Sequence, residues 1–149
     1  MAEELSEQRL GMMREILRRV PFAQLLHIEL VTASAGSATL RLPVRAEFKQ
    51  NYGVLHGGAM ASIIDTATAF AIVSQLTEAE RFTTVDLTVN YLKALTEGDA
   101  VCRATVVRAG RNILTVTAEV QDSAGNLAAI AVSTYIRLKS RSPENTQNP

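Results

Sequence analysis

The sequence holds one cysteine, Cys102, among 149 residues. A single thiol excludes an intrachain disulfide and any zinc site built from several cysteines. It suits a reducing compartment. Charge of either sign is not in excess: 15 Lys+Arg balance 15 Asp+Glu, for a formal net charge of zero. A nucleic-acid binder ordinarily carries a basic surplus, so that class is set aside. Long apolar runs are missing too. The least polar stretch, 59–76, contains Asp65, Gln75 and several Ser and Thr, which argues against a membrane span. The segment MAEELSEQRLGMMREILRR is charged from its third residue and lacks the basic-then-apolar order of a secretory signal. A cytoplasmic protein is expected.

Hydrophobic residues make up 47% of the chain, enough for a real core and too many for a disordered polymer. The length is that of one domain. No internal repeat and no linker divides it. Residues 1–139 are expected to form a single domain that opens with a helix in 1–20, and 140–149 to be a disordered tail.

Leu5, Met12, Met13, Ile16 and Leu17 fall near helical spacing. Pro21 stops or redirects that helix, with room for one more turn from Phe22 to Leu26. Strands follow. The first runs from Ile28 to Ala33, and beyond Gly36 the residues Ala38, Leu40, Leu42 and Val44 alternate with polar neighbours, as in a hairpin with one buried face. Residues 46–55 read as a loop. From Gly57 to Gln75 apolar side chains surround the cylinder, the mark of a buried helix about 28 Å long. Four strands are expected after it. Val85, Leu87 and Val89 alternate with Asp86, Thr88 and Asn90. Val101 to Val107 is rich in β-branched residues, with Ala100, Cys102, Ala104 and Val106 in line as small core residues. Leu114, Val116, Ala118 and Val120 alternate with polar residues, and Ile130, Val132, Thr134 and Ile136 make the last strand. One helix followed by a strand run with short turns implies an α+β fold, an antiparallel sheet wrapped around a long central helix.

The stretch Asn51-Tyr-Gly-Val-Leu-His-Gly-Gly-Ala-Met-Ala-Ser-Ile-Ile-Asp65 carries the chemistry. Gly57 and Gly58 stand where the loop enters the helix. They allow a tight turn there, and they also let a ligand approach backbone amides that have no partner inside the helix. Such amides, at the positive end of the helix dipole, can hold an oxyanion. Asp65 is a poor helix-interior residue in apolar company. Its charge is costly to bury, which makes it a functional candidate. His56 and Asp65 are nine residues apart, so they lie on opposite sides of a helix and roughly 13 Å apart along it. Two chains related by a two-fold axis can bring both to one substrate more readily than one chain can. His27 is taken as structural.

The pattern Asn51-x-Gly-x-x-His-Gly-Gly with Asp65 resembles the phenylacetate-pathway (PaaI-type) branch of the hotdog-fold thioesterases. The likeness spans roughly residues 25–138 by element order. It is supported by Val85-Asp-Leu-Thr-Val-Asn-Tyr91 and by Arg108-Ala-Gly-Arg-Asn112. The resemblance implies hydrolysis of acyl-CoA without metal or redox cofactor, and a homodimer or homotetramer is expected from the His56–Asp65 separation and the sheet's open edges. By that likeness the Gly57 amide binds the thioester carbonyl, Asn51 helps to hold it, and His56 sits near the leaving sulfur. Asp65 of the partner chain would act as general base or as nucleophile. Thr84 would position the water, with Thr83 as the alternative hydroxyl. Arg108 and Arg111, flanking Gly110, become candidates for the CoA phosphates, and Lys93, Tyr91 and Gly58 for contacts to the same ligand. Two rival readings share the fold: an enoyl-CoA-type hydratase or dehydratase, and a non-catalytic module that binds acyl-CoA or acyl-carrier protein.

Overall fold

The computed structural model describes residues 3–77 and 80–139; the expected tail, 140–149, lies outside the described residues. Six strands form one antiparallel sheet in the order β1-β2-β4-β5-β6-β3. The strands are β1 (Glu29–Ser34), β2 (Ser37–Pro43), β3 (Arg81–Tyr91), β4 (Asp99–Ala109), β5 (Ile113–Gln121) and β6 (Leu127–Leu138). The helices are α1 (Glu7–Arg18), α2 (Pro21–Leu25) and α3 (Gly57–Val73), with a short 3-10 turn at Ala46–Phe48. The expected hotdog arrangement, an α+β sheet around a central helix with an added N-terminal helix, is what forms.

The alternating apolar faces of β2, β4 and β5 meet α3. Leu40, Leu42, Cys102, Leu114, Val116 and Val120 are fully buried against Ile63, Ile64 and Ile72 of the helix. Each such side chain contributes about 1.5–3 kcal/mol by leaving water. Burial pushes the Cys102 thiol up to about 12, so it packs as a small apolar residue and is not a nucleophile.

α1 is capped by the Ser6 hydroxyl, which accepts from the Arg9 amide. The Arg9 guanidinium donates to the carbonyls of Val73 (2.7 Å), the last residue of α3, and Leu76 (2.8 Å), in the turn that follows it. Pro21 begins α2 at its first position, where its missing N–H costs nothing.

Three details differ from the sequence expectation. In β3 the ladder to β6 slips between Thr84 and Asp86, so Val85 is an extra residue and is 56% exposed. The half-buried positions are therefore Phe82 and Thr84 before this bulge, and Leu87 and Val89 after it. In β6 the buried set is Ala128, Ala129, Ala131, Ser133 and Tyr135, while Ile130 and Val132 are 40% and 44% exposed on the outer face. The inner hydroxyls find partners, as described below, so the small and polar residues can go inside. Finally, α3 is not covered all round. Ala61, Ser62, Asp65, Thr66, Ala69 and Val73 form a half-open stripe of mostly small residues.

Candidate active site

His56 caps α3. Its extended backbone (φ −61°, ψ 134°) lets the ring turn back, and Nδ1 accepts the Gly58 amide at 2.8 Å. A ring nitrogen that accepts carries no proton, so the neutral ring holds its proton on Nε2. The amides of Ala59 and Met60 reach the His56 carbonyl at 2.9 and 3.2 Å. The Gly57 amide has no acceptor among the described residues. Three first-turn donors are thus satisfied within the chain and one is left without an acceptor among the described residues. Tyr91, at the end of β3, donates its hydroxyl to the Gly57 carbonyl at 3.0 Å, and its ring lies 3.5 Å from where a Cβ on Gly57 would stand. Val54, Leu55, Gly57, Met60, Tyr91 and Leu95 border a cleft of about 330 Å³ beside that amide.

A second cluster forms around Asp65. Thr84 donates its hydroxyl to Asp65 Oδ1 at 2.9 Å. Thr83, on the opposite parity, is exposed. The bulge at Val85 is what turns Thr84 inward, and the buried Ser133 hydroxyl steadies that bulge by donating to the Asp86 carbonyl at 3.1 Å. The hydroxyl of Tyr135, the cross-strand partner of Thr84, lies 3.0 Å from the Asp65 carbonyl oxygen, 3.4 Å from Oδ1 and 2.6 Å from the Thr68 hydroxyl. Burial pushes the Tyr135 phenol up, and the nearby Asp65 charge adds to this, so it stays protonated as a donor. Asp65 Oδ2 has no hydrogen-bond partner among the described residues.

A third group sits on the β4–β5 turn. Arg108 and Arg111 are exposed, and neither forms an ion pair among the described residues. Gly110 lets the turn close, because a Cβ there would stand 2.9 Å from the Ile113 carbonyl oxygen. Arg137 ties this turn to the sheet through Nε to the Gly110 carbonyl and its amide to the Asn112 carbonyl. Phe82 pairs with Arg137, so the turn lies at the starting end of β3.

The three groups are therefore strung along β3: the arginine turn at its start, Asp65 with Thr84 near its middle, Gly57 at its end. One chain does not bring them to a point. Two expected residues remain. Lys93 also borders the cleft beside the Gly57 amide, where it is ion-paired with Asp122, and that pair, with help from Asn126, holds the Asp122 carboxyl well below the usual range. Asn51 is exposed on the small loop closed by the Lys49–Leu55 bridge and makes no side-chain hydrogen bond among the described residues.

Residues 52–129 match the family model described as the Thioesterase superfamily, which is more than half of the chain. The chain belongs to the thioesterase superfamily. Among its relatives in that sense is a protein of Archaeoglobus fulgidus, named as a candidate esterase, 30% identical over 121 residues that cover 80% of this chain and 77% of the other. The solved structure of conserved protein PA5202 from Pseudomonas aeruginosa is 32% identical, covers 84% of this chain and 98% of its own, and has a TM-score of 0.79. The PaaI protein from the phenylacetic acid degradation operon of E. coli is 20% identical and shares the fold, with a TM-score of 0.82 over 91% of this chain and 97% of its own. No helix among the described residues is long and apolar enough to cross a membrane.

Sequence reading for this superfamily member missed Thr68, Ser133 and Tyr135. Thr68 repeats three positions after Asp65 on α3, which is a usable signal in hindsight. Ser133 and Tyr135 were hidden because the branched residues Ile130, Val132, Thr134 and Ile136 that alternate with them point to the other face of β6 as the apolar one.

Proposed function

We propose that this chain is a thioesterase that hydrolyses acyl-CoA, working as a dimer or a dimer of dimers with each active site shared between two chains. The observation that carries this reading is the pair of half-sites: an unclaimed Gly57 amide at one end of β3 and an Asp65 carboxylate held by Thr84 further back. β3 is a long edge strand, unpaired on its outer side among the described residues. Open edges are normally covered, and here the half-open stripe of α3 lies on the helix that crosses behind the sheet. Antiparallel pairing of β3 with a second β3 reverses one strand against the other. The Asp65 and arginine-turn end of one chain then approaches the Gly57 end of its partner. The outer sheet face, with Ile130 and Val132, would supply the second contact of a tetramer.

In the composite site the thioester oxygen is held by the Gly57 amide, and the acyl group lies in the cleft beside Met60 and Leu95. The partner's Asp65 takes a proton from water as the water oxygen bonds to the carbonyl carbon. The oxyanion at Gly57 collapses, the carbon–sulfur bond breaks, and the thiolate is protonated, with the Nε2–H of His56 directed at the sulfur. Direct attack by Asp65 through a mixed anhydride, opened by water in a second step, gives the same acid and CoA. Asn51 would complete the carbonyl contact. Arg108 and Arg111, with Gly110 shaping their turn, would meet the CoA phosphates of the site they approach; Lys93, Tyr91 and Gly58 would border the same ligand.

The test is free-thiol release over a panel of short, medium, long and aryl acyl-CoAs, with Asp65→Asn as the control. Turnover of at least one class that the control loses is expected. No release from any member of the panel would overturn the reading.

A further inference from the structure

We propose that Tyr135 is a positioning residue for Asp65: its buried hydroxyl, backed by Thr68, joins Thr84 in fixing Oδ1 and so makes Oδ2 the oxygen that reacts. This rests on the reading of Asp65 as the reacting carboxylate and adds residues that reading does not contain. A carboxylate can present either oxygen, and a short side chain on a half-open helix stripe can turn. Two hydroxyls converge on one oxygen here, Thr84 at 2.9 Å and Tyr135 at 3.4 Å, and none on the other among the described residues. Tyr135 is itself tightly enclosed. It is 1% exposed, Phe82 packs edge-on against its ring at 5.6 Å between centroids, and its hydroxyl touches the 0% exposed Thr68 at 2.6 Å.

Hydroxyl bookkeeping gives the direction. Thr68 and Tyr135 have one proton each. The Thr68 proton has the Ile64 and Asp65 carbonyls at 3.0 Å and the Tyr135 oxygen at 2.6 Å within reach, and the contact to the Tyr135 oxygen is the shortest of these. A Thr68 hydroxyl that donates to Tyr135 polarises the phenol, whose proton is then shared between the Asp65 carbonyl and Oδ1. A phenylalanine would fill the same core space without a buried polar group to satisfy. What the phenol adds over phenylalanine is its contact with Asp65 and Thr68.

The experiment is steady-state kinetics on Tyr135→Phe and Thr68→Val, each alone and in an Asp65→Asn background, with circular dichroism to check folding. Tyr135→Phe should lower kcat about tenfold, the usual scale for one hydrogen bond to a charged group, and leave KM within about twofold. Thr68→Val should lower kcat about threefold. In the Asp65→Asn background both changes should be silent, because they act through the carboxylate that is gone. An unchanged kcat in Tyr135→Phe, or the same fractional loss with and without Asp65, overturns the proposal and leaves the thioesterase reading intact. Full turnover by Asp65→Asn overturns both. If Tyr135→Phe does not fold, Thr68→Val decides alone: threefold loss at constant KM upholds the proposal, and unchanged kcat sinks it.

Discussion

His56 accepts the amide hydrogen of Gly58 at 2.8 Å and leaves the amide of Gly57 without an acceptor among the described residues. One donor can therefore be deleted without disturbing the others. Proline is well suited to the first position of a helix, and the extended backbone of His56 is what a residue before proline adopts. Gly57→Pro should keep the helix and its cap while removing the candidate oxyanion donor. Turnover is expected to fall by about 10²–10³-fold with an unchanged circular dichroism spectrum. Wild-type kcat in a folded Gly57→Pro protein would remove that amide from the mechanism.

Asp65→Asn keeps the side-chain shape and removes the base. Turnover should drop by about 10²–10⁴-fold. Stability should hold or rise, since a neutral amide is cheaper on a half-buried helix stripe than a carboxylate. Mixing Asp65→Asn chains with Gly57→Pro chains tests the shared site. A heterodimer built across β3 contains one intact site out of two, so activity should reappear at up to half the wild-type value. Silence in a verified heterodimer argues that both halves belong to one chain, as would full activity in a monomer at micromolar concentration by sedimentation.

Neighbouring threonines should behave unequally. Thr84→Val removes the hydroxyl bonded to Asp65 and should lower kcat by about tenfold. Thr83→Val alters an exposed position and should leave kcat within twofold. Equal losses in both variants would mean that the bulge at Val85 does not set which threonine faces the carboxylate.

Arg111→Ala should raise KM for full-length acyl-CoA more than it lowers kcat, the pattern of a remote contact made equally in the ground and transition states. With a short acyl-pantetheine substrate, which lacks the nucleotide, the same substitution should have no effect. A KM that is unmoved for acyl-CoA would place Arg111 outside the ligand's reach.

Much of this was legible beforehand because burial leaves a periodic trace. The alternation in β2, β4 and β5 and the apolar run of α3 each follow from facing the same core. The motif from Asn51 to Asp65 was legible for a different reason: glycines at a helix entry and an acid in an apolar helix are locally expensive choices. The rest was hidden by effects that a period cannot carry. A one-residue bulge leaves β3 with two outward neighbours, Val85 and Asp86, so the alternation of Val85, Leu87 and Val89 could not separate Thr84 from Thr83. In β6 the inner face holds Ser133 and Tyr135 because Asp86 and Asp65 provide acceptors from elsewhere in the chain. Only the fold brings those partners near.

Arg9 reaches across 64 and 67 positions of sequence to the carbonyls of Val73 and Leu76. That span has a consequence for the order of folding. α1 is synthesised before α3, yet its anchoring points do not exist until the far end of α3 has been made. Closing so long a loop costs entropy that local helix formation cannot return. The last turn of α3 should therefore be among the late parts of the molecule to become protected from hydrogen exchange, well after the sheet that supports its first turns.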